Sequence, residues 1–179
     1  GTLLILDEIQ SGFGRTGKLW AFEHFGIAPD VLLLGKALGG GLPLGAFISS
    51  KERMTTLSHD PELGHITTFG GHPLSCAAGL ASLMVIFDEG WIRGVDARNE
   101  LFLSLLVHER IKKVRSFGLW FALEFENFET NQRIIESCIK KGVFVDWFLF
   151  APQCMRISPP LNITEEQIRF ACKVILESI

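Results

Sequence analysis

Leu3-Leu4-Ile5-Leu6-Asp7-Glu8-Ile9-Gln10 and Val31-Leu32-Leu33-Leu34-Gly35-Lys36 decide the reading of this chain. Each is an unbroken apolar run that ends in charge. A strand covered on both faces of a parallel sheet reads this way, and ligands of open α/β sheets bind beyond the carboxyl ends of such strands. Neighbouring strands lie about 4.8 Å apart, so Asp7 and Lys36 are placed to share one ligand. Between the runs, Ser11 to Gly17 is a glycine-punctuated loop, Leu19 to Phe25 has room for a short helix, and Pro29-Asp30 restarts an extended segment. That interval is longer than the dozen or so residues a parallel crossover requires. Lys36 leads into a flexible turn, Ala37 to Pro43, and Leu44 to Ser49 returns as a third strand beside the second. A strand like Leu3 to Leu6 calls for a neighbour on each side, and the sequence offers one. The chain begins inside that strand, so residues upstream are expected to be missing.

Outward from this core, residues 51 to 71 are polar and glycine-bearing. Pro73 suits a first helical position, and Leu74, Ala77, Ala78, Ala81, Met84 and Val85 give the helix to Asp88 an apolar face with little polar backing, which predicts deep packing. A second helix spans roughly Val95 to Arg110. The remainder reads as α+β, with a strand at Leu119 to Phe125, an amphipathic helix from Asn131 to Lys141, and short strands at Val143 to Phe148 and Met155 to Ile157. Thr164 with Gln167 forms a capping-box pattern, followed by Ile168, Ala171, Cys172, Ile175, Leu176 and Ile179 at helical spacing. The expected organisation is a cofactor-binding α/β domain over residues 1–90 and a smaller α+β domain over residues 91–179.

Composition narrows the class. The 179 residues are 47% hydrophobic, with mean hydropathy +0.29, yet no apolar run approaches the ~18 residues that span a bilayer. The 17 Lys and Arg are scattered and net charge is -3, which points away from nucleic acid and toward small molecules. Cys76, Cys138, Cys154 and Cys172 form no C-x-x-C pair and mostly take apolar positions, as reduced thiols of a cytoplasmic protein do. The five histidines have no metal-ligand spacing, and no metal is expected.

Two motifs compete for the glycine loop and its flanks. Gly12 to Lys18 satisfies the spacing G-x-x-x-x-G-K of a P-loop, with an Asp-Glu pair on the strand. However, Leu19 stands where a Ser or Thr must reach magnesium, and no separate strand feeds the loop. The other candidate is a pyridoxal phosphate site, which needs a lysine for a Schiff base, an acid to keep the pyridine nitrogen protonated, and donors for the phosphate. Lys36 and Asp7 fit the first two roles by position. By spacing alone, a surface lysine or an ion pair with Asp7 is the better reading of Lys36.

The wider pattern shifts that balance. Leu6 to Gly17, Pro29-Asp30, Gly35 to Ala46, Thr68 to Pro73, Val114 to Leu119 and Met155 to Leu161 occur in an order and wording that strongly resembles the class III aminotransferases of pyridoxal phosphate fold type I. The resemblance covers essentially the whole chain and implies the carboxyl-terminal part of that fold's large domain, a mostly parallel sheet with helices, followed by its small α+β domain. It implies pyridoxal 5'-phosphate as cofactor, Lys36 as Schiff-base lysine and proton carrier, and Asp7 as partner of the pyridinium nitrogen. Gln10 falls to the ring hydroxyl, Thr68 to the phosphate held by a neighbouring subunit of a homodimer, and Arg156 to a substrate carboxylate, which a planar guanidinium grips in two places. Glu8 and Arg15 read as structural, pairing to fix the loop. The implied reaction moves an amino group from an ornithine, acetylornithine or 4-aminobutyrate type donor to a 2-oxo acid such as 2-oxoglutarate. A glutamate semialdehyde aminomutase is the near alternative, and a catalytically incompetent fragment or interaction module of the same fold is the alternative from another class. The chain departs from the family pattern at His72, where Asn is commoner before Pro73, and at Ser116-Phe117, where a small glycine turn is usual.

Overall fold

β1 (Ile5–Asp7) and β2 (Val31–Leu34) pair in parallel, with Ile5 opposite Val31 and Asp7 opposite Leu33. The computed structural model describes residues 1–179. The ladder runs one residue past β1, where the Glu8 amide donates to the Leu33 carbonyl at 3.0 Å. β3 (Ala46–Ser49) lies antiparallel on the other side of β2, giving a three-stranded sheet in the order β1-β2-β3. β1 therefore has a single neighbour, as its surroundings in the sequence suggested. Asp30 braces the far end of the sheet. Its carboxylate accepts from the Leu4 amide at 2.8 Å and from Arg53 at 2.5 Å, and its carbonyl accepts from the Ser49 hydroxyl at 2.7 Å.

The segment after β1 turns on the glycine loop and a 3-10 turn, Ala21–Phe25, before re-entering β2. A second 3-10 turn, Lys36–Gly39, leaves β2 at once. Past β3 come a one-turn helix α1 (Lys51–Thr55) and an irregular stretch, then α2 (Pro73–Asp88), with Pro73 at its first turn. The His72 ring supplies the N-cap, its Nδ1 accepting from the Leu74 amide at 3.2 Å. An imidazole nitrogen can thus take the capping role that makes Asn favourable before a helix, which accounts for this departure from the family pattern.

α2 is not deeply packed, contrary to its composition. Leu74 and Leu80 are each 62% exposed, while Ser75, Gly79 and Ile86 are buried. The buried positions follow helical spacing, so the inward stripe consists mostly of small residues. A helix that is apolar all round encodes no unique inner face, and here backbone approach selects one. A Cβ on Gly79 would lie 2.3 Å from the Leu38 carbonyl oxygen, and one on Gly40 would lie 2.3 Å from that of Ala78. The helix thus rests directly on the turn that follows β2. The neighbouring core is small, formed by Phe13, Leu34 and Ile86 with Trp20, Leu83 and Trp91 packed against them.

The chain divides into two compact units, Gly1–Ile92 and Arg93–Ile179. In the second, α3 (Val95–Leu105) precedes β4 (Lys113–Ser116), β5 (Phe121–Glu124), α4 (Phe128–Lys140), β6 (Asp146–Phe148), β7 (Ala151–Ile157) and α5 (Glu165–Leu176). The strands form an antiparallel sheet in the order β4-β5-β7-β6. β4 and β5 are joined through Phe117, whose amide donates to the Trp120 carbonyl at 3.0 Å, and Gly118 at φ +57°. That left-handed glycine completes the turn although Ser116 and Phe117 depart from the usual pattern. α4 begins three residues earlier than its apolar pattern suggests because Asn127 caps it, accepting from the Thr130 amide at 2.8 Å. The capping box of α5 is formed as its sequence proposes, Thr164 and Gln167 bonding reciprocally at 3.2 and 3.0 Å. α4 packs on β7 and α3 on α5, enclosing a continuous core that includes Phe102, Leu119, Phe121, Leu123, Met155 and Ile168. No single helix in the chain is long and apolar enough to cross a membrane.

Candidate functional site

The carboxyl edge of β1 and β2 is where side-chain chemistry gathers in the first unit. Asp7 closes β1 and is exposed, and one of its oxygens, Oδ1, accepts from the Ile9 amide at 2.9 Å. The other oxygen carries no hydrogen bond, so the carboxylate is oriented by the backbone yet still able to accept from a ligand. Lys36 follows the extended Gly35 and takes φ +48°, a left-handed conformation that is uncommon for a residue with a side chain. Such strain persists where surrounding structure imposes it, and it concentrates at functional positions. The surrounding structure here is α2, which presses on the turn through Gly79 and Gly40. The Lys36 amine makes neither a hydrogen bond nor an ion pair with Asp7. Asp7 stands opposite Leu33, and β2 runs only to Leu34 before Lys36 opens the 3-10 turn.

The glycine loop is built around Glu8, which is 3% exposed. Its carboxylate accepts from the Ser11 hydroxyl at 2.5 Å and from the Ala21 and Phe22 amides at 3.1 and 2.9 Å, tying both ends of the loop to the end of β1. A buried carboxylate persists when its lone pairs are filled in this way. Burial pushes the Arg15 guanidinium below its ordinary range. Lys18, the lysine of the P-loop spacing, donates to the Glu23 carbonyl at 3.0 Å, and the loop leads only into a five-residue 3-10 turn. There is no long helix N-terminus to cradle phosphates as a P-loop does.

Gln10 is exposed beside this loop. Thr68 is exposed in the irregular stretch before α2, and no hydrogen bond ties it to Asp7, Gln10 or Lys36. His65, near it in sequence, uses Nδ1 on the Leu57 carbonyl at 2.8 Å. No group of three His, Cys, Asp or Glu side chains converges as metal ligands do. Asp7, Gln10 and Lys36 fit pyridoxal phosphate in chemistry: an oriented acceptor for a ring N–H, an amide for a ring hydroxyl and an unpaired amine, all at one sheet edge.

Arg156 belongs to the second unit, on β7, with Ala122 of β5 and Asp146 of β6 as its partners across the ladder. Its Nε donates to Asp146 Oδ1 at 2.7 Å and its Nη2 to Asp146 Oδ2. The hydrogen bond to that carboxylate holds the guanidinium above its ordinary range. The guanidinium carbon also lies 5.8 Å from the centroid of the Phe148 ring, within cation–π distance. The Asp146 partnership was not anticipated. Pairing the two short strands at Val143 to Phe148 and Met155 to Ile157 as a hairpin would have set an acid opposite the arginine.

The fold and these positions define an α/β protein with an acid and a lysine at the edge of a parallel strand pair. The class-III aminotransferase family model matches residues 1–179, and the chain belongs to that family. It is 37% identical over 178 residues to an acetylornithine aminotransferase of Caldanaerobacter subterraneus subsp. tengcongensis, covering 97% of this chain and 44% of that protein. Among solved structures, the ornithine aminotransferase of Toxoplasma gondii superposes with TM-score 0.88 at 34% identity, over 99% of this chain and 42% of that one. That structure carries pyridoxal phosphate at partial occupancy in its active site. An (S)-enantioselective omega-transaminase from Thermomicrobium roseum superposes with TM-score 0.89 at 27% identity, over 99% and 43% of the two chains. The chain spans less than half the length of each of these relatives.

Proposed function

We propose that the protein carrying this chain is a pyridoxal phosphate-dependent transaminase, passing an amino group from an ornithine, acetylornithine or 4-aminobutyrate type donor to a 2-oxo acid such as 2-oxoglutarate. The observation that carries this reading is the strained, unpaired Lys36 beyond β2 beside the half-satisfied carboxylate of Asp7 on β1. Family membership supports it. Pyridoxal phosphate, when bound, supplies an electron sink for the substrate carbon that loses its proton. Asp7 keeps a proton on the ring nitrogen through its free oxygen, because a carboxylate beside a cation favours the charged form. Gln10 orients the ring by donating to its hydroxyl oxygen. Lys36 would hold the cofactor through Nζ, and the same amine would carry the proton that the substrate carbon gives up. Thr68 donates to a phosphate across a homodimer interface, and Arg156 takes the substrate carboxylate. The four free cysteines support a cytoplasmic setting.

The test is spectroscopic. The complete gene product mixed with pyridoxal phosphate should absorb near roughly 420 nm, as a lysine Schiff base does. Borohydride should then fix the label on Lys36 in a peptide map, and Lys36→Ala should lose both signals. A label found on Lys18 or Lys51 instead, or none, would overturn the assignment. Magnesium-dependent ATP binding that survives Lys36→Ala would favour the P-loop reading.

A further inference from the structure

The contacts of Arg156 divide its guanidinium into two edges. Asp146 takes the side-on edge, Nε and Nη2. Arginine has five N–H donors in a planar fork, so two on Nη1 and one on Nη2 remain, and together they form a second, end-on fork that matches a carboxylate. Nη1 has no hydrogen-bond partner in the structure. A second carboxylate can therefore be gripped without displacing Asp146. The surroundings favour holding this geometry. Asp146 and Arg156 are cross-strand partners of β6 and β7, so their backbones are fixed relative to each other. Phe148, two residues along the same strand, faces the guanidinium at 5.8 Å and Trp120 at 6.3 Å. The side chains of Arg156 and Asp146 are 29% and 32% exposed, so the pair is reachable from solvent.

We infer that Asp146 is a positioning residue for substrate carboxylate: by clamping the side-on edge of Arg156 it presents the end-on edge to the ligand. This rests on the assignment of Arg156 to the substrate carboxylate. An arginine on a flexible stem loses rotamer freedom whenever it binds, and a clamp made beforehand removes that cost from the binding step. The Asp146 charge lowers the net attraction of the site for anions, so recognition depends on the geometry of paired hydrogen bonds more than on charge. A carboxylate is thereby preferred over a small spherical anion.

The experiment uses the complete, cofactor-loaded gene product. Glutarate binding is measured by calorimetry, and steady-state kinetics compare 2-oxoglutarate with an aldehyde acceptor that lacks a carboxylate. Arg156→Lys and Asp146→Asn are each expected to weaken glutarate and raise KM for 2-oxoglutarate roughly tenfold, the loss of about one charge-assisted hydrogen bond. In Asp146→Asn, turnover of the carboxylate-free aldehyde with an amine donor that likewise lacks a carboxylate should stay within about twofold of the parent, a split that a merely structural role for Asp146 would not give. Unchanged or tighter glutarate binding in Asp146→Asn, while Arg156→Lys weakens it, would overturn the inference and leave the arginine assignment standing. Equal losses on both acceptors in Asp146→Asn would overturn it too. No effect of Arg156→Lys would remove the arginine assignment itself. Should Asp146→Asn fold poorly, Asp146→Ser removes the same charge and gives the same readings.

Discussion

The two units of this chain bury different amounts of apolar surface among their own residues. In Arg93–Ile179, Phe102, Leu119, Phe121, Leu123, Met155, Ile168 and Ile175 are fully buried between one sheet and its helices. In Gly1–Ile92 the buried cluster reduces to Phe13, Leu34 and Ile86, while large apolar side chains such as Ile5, Leu74, Leu80 and Phe69 are more than half exposed. The first unit takes its local order from directed contacts: the Glu8 carboxylate in its loop, Asp30 across the strand ends, and glycine-mediated contact between α2 and the turn after Lys36. Among its own residues, the unit that carries Asp7 and Lys36 encloses a small buried cluster, and the unit that carries Arg156 a large one.

Mutations probe the two units separately. The largest effect is expected from Phe121→Ala, which hollows the second unit's core beside Phe102 and should cost about 3–5 kcal/mol. Hydrogen exchange read by mass spectrometry should lose protection in β5, β7 and α5. Retained protection there would break the contrast. Glu8→Ala comes next, because it strips the Ala21 and Phe22 amides of their acceptor and should cost about 2–3 kcal/mol. The readout is the urea midpoint from hydrogen exchange of the loop around Trp20, which packs edge-on against Phe13 at 5.0 Å. An unchanged midpoint would show that the carboxylate does not organise the loop.

Gly79→Ala should cost about 1–3 kcal/mol through overpacking, because its new Cβ must force the Leu38 carbonyl aside. More telling is the accompanying change in pyridoxal phosphate binding, as the displaced turn carries Lys36. Ala81→Gly, at an exposed position of the same helix, should cost about 1 kcal/mol without affecting the cofactor. Equal effects of the two on cofactor binding would remove the link between α2 and the lysine.

The smallest expected effect depends on pH. Burial raises the Cys172 thiol from 9.0 to about 12 in the folded protein. Below pH 9 the thiol is neutral in both states and contributes nothing. Above it the unfolded chain ionises first and binds fewer protons, so stability falls as pH rises from 9 toward about 12. Chemical denaturation across that window should show a shallower decline in Cys172→Ala than in the parent, whatever the offset between the two at neutral pH.

Legibility followed the range of the interactions. The apolar run of each strand and the α5 capping box depend on residues close in sequence, and both were readable. Within this chain the deep burial expected of α2 is not realised: only the stripe Ser75, Gly79 and Ile86 is covered. Likewise, nothing local to Lys36 announces φ +48°. Gly35 and Gly39 to Gly41 mark flexibility there, and α2 lands on the same turn at Leu38 and Gly40.

By itself the sequence determined that two apolar runs end in Asp7 and Lys36, that they are strands of a parallel pair, and that the chain reads as a class III aminotransferase. Those conclusions rest on hydrophobic periodicity and ordered motifs, which are carried within a few residues. Only the tertiary structure decided that Asp146 clamps Arg156, that Glu8 holds its loop by two backbone amides, and that α2 meets the Lys36 turn through its small residues. Each of these depends on strand register or helix rotation, and such choices are made by contacts between segments distant in the chain.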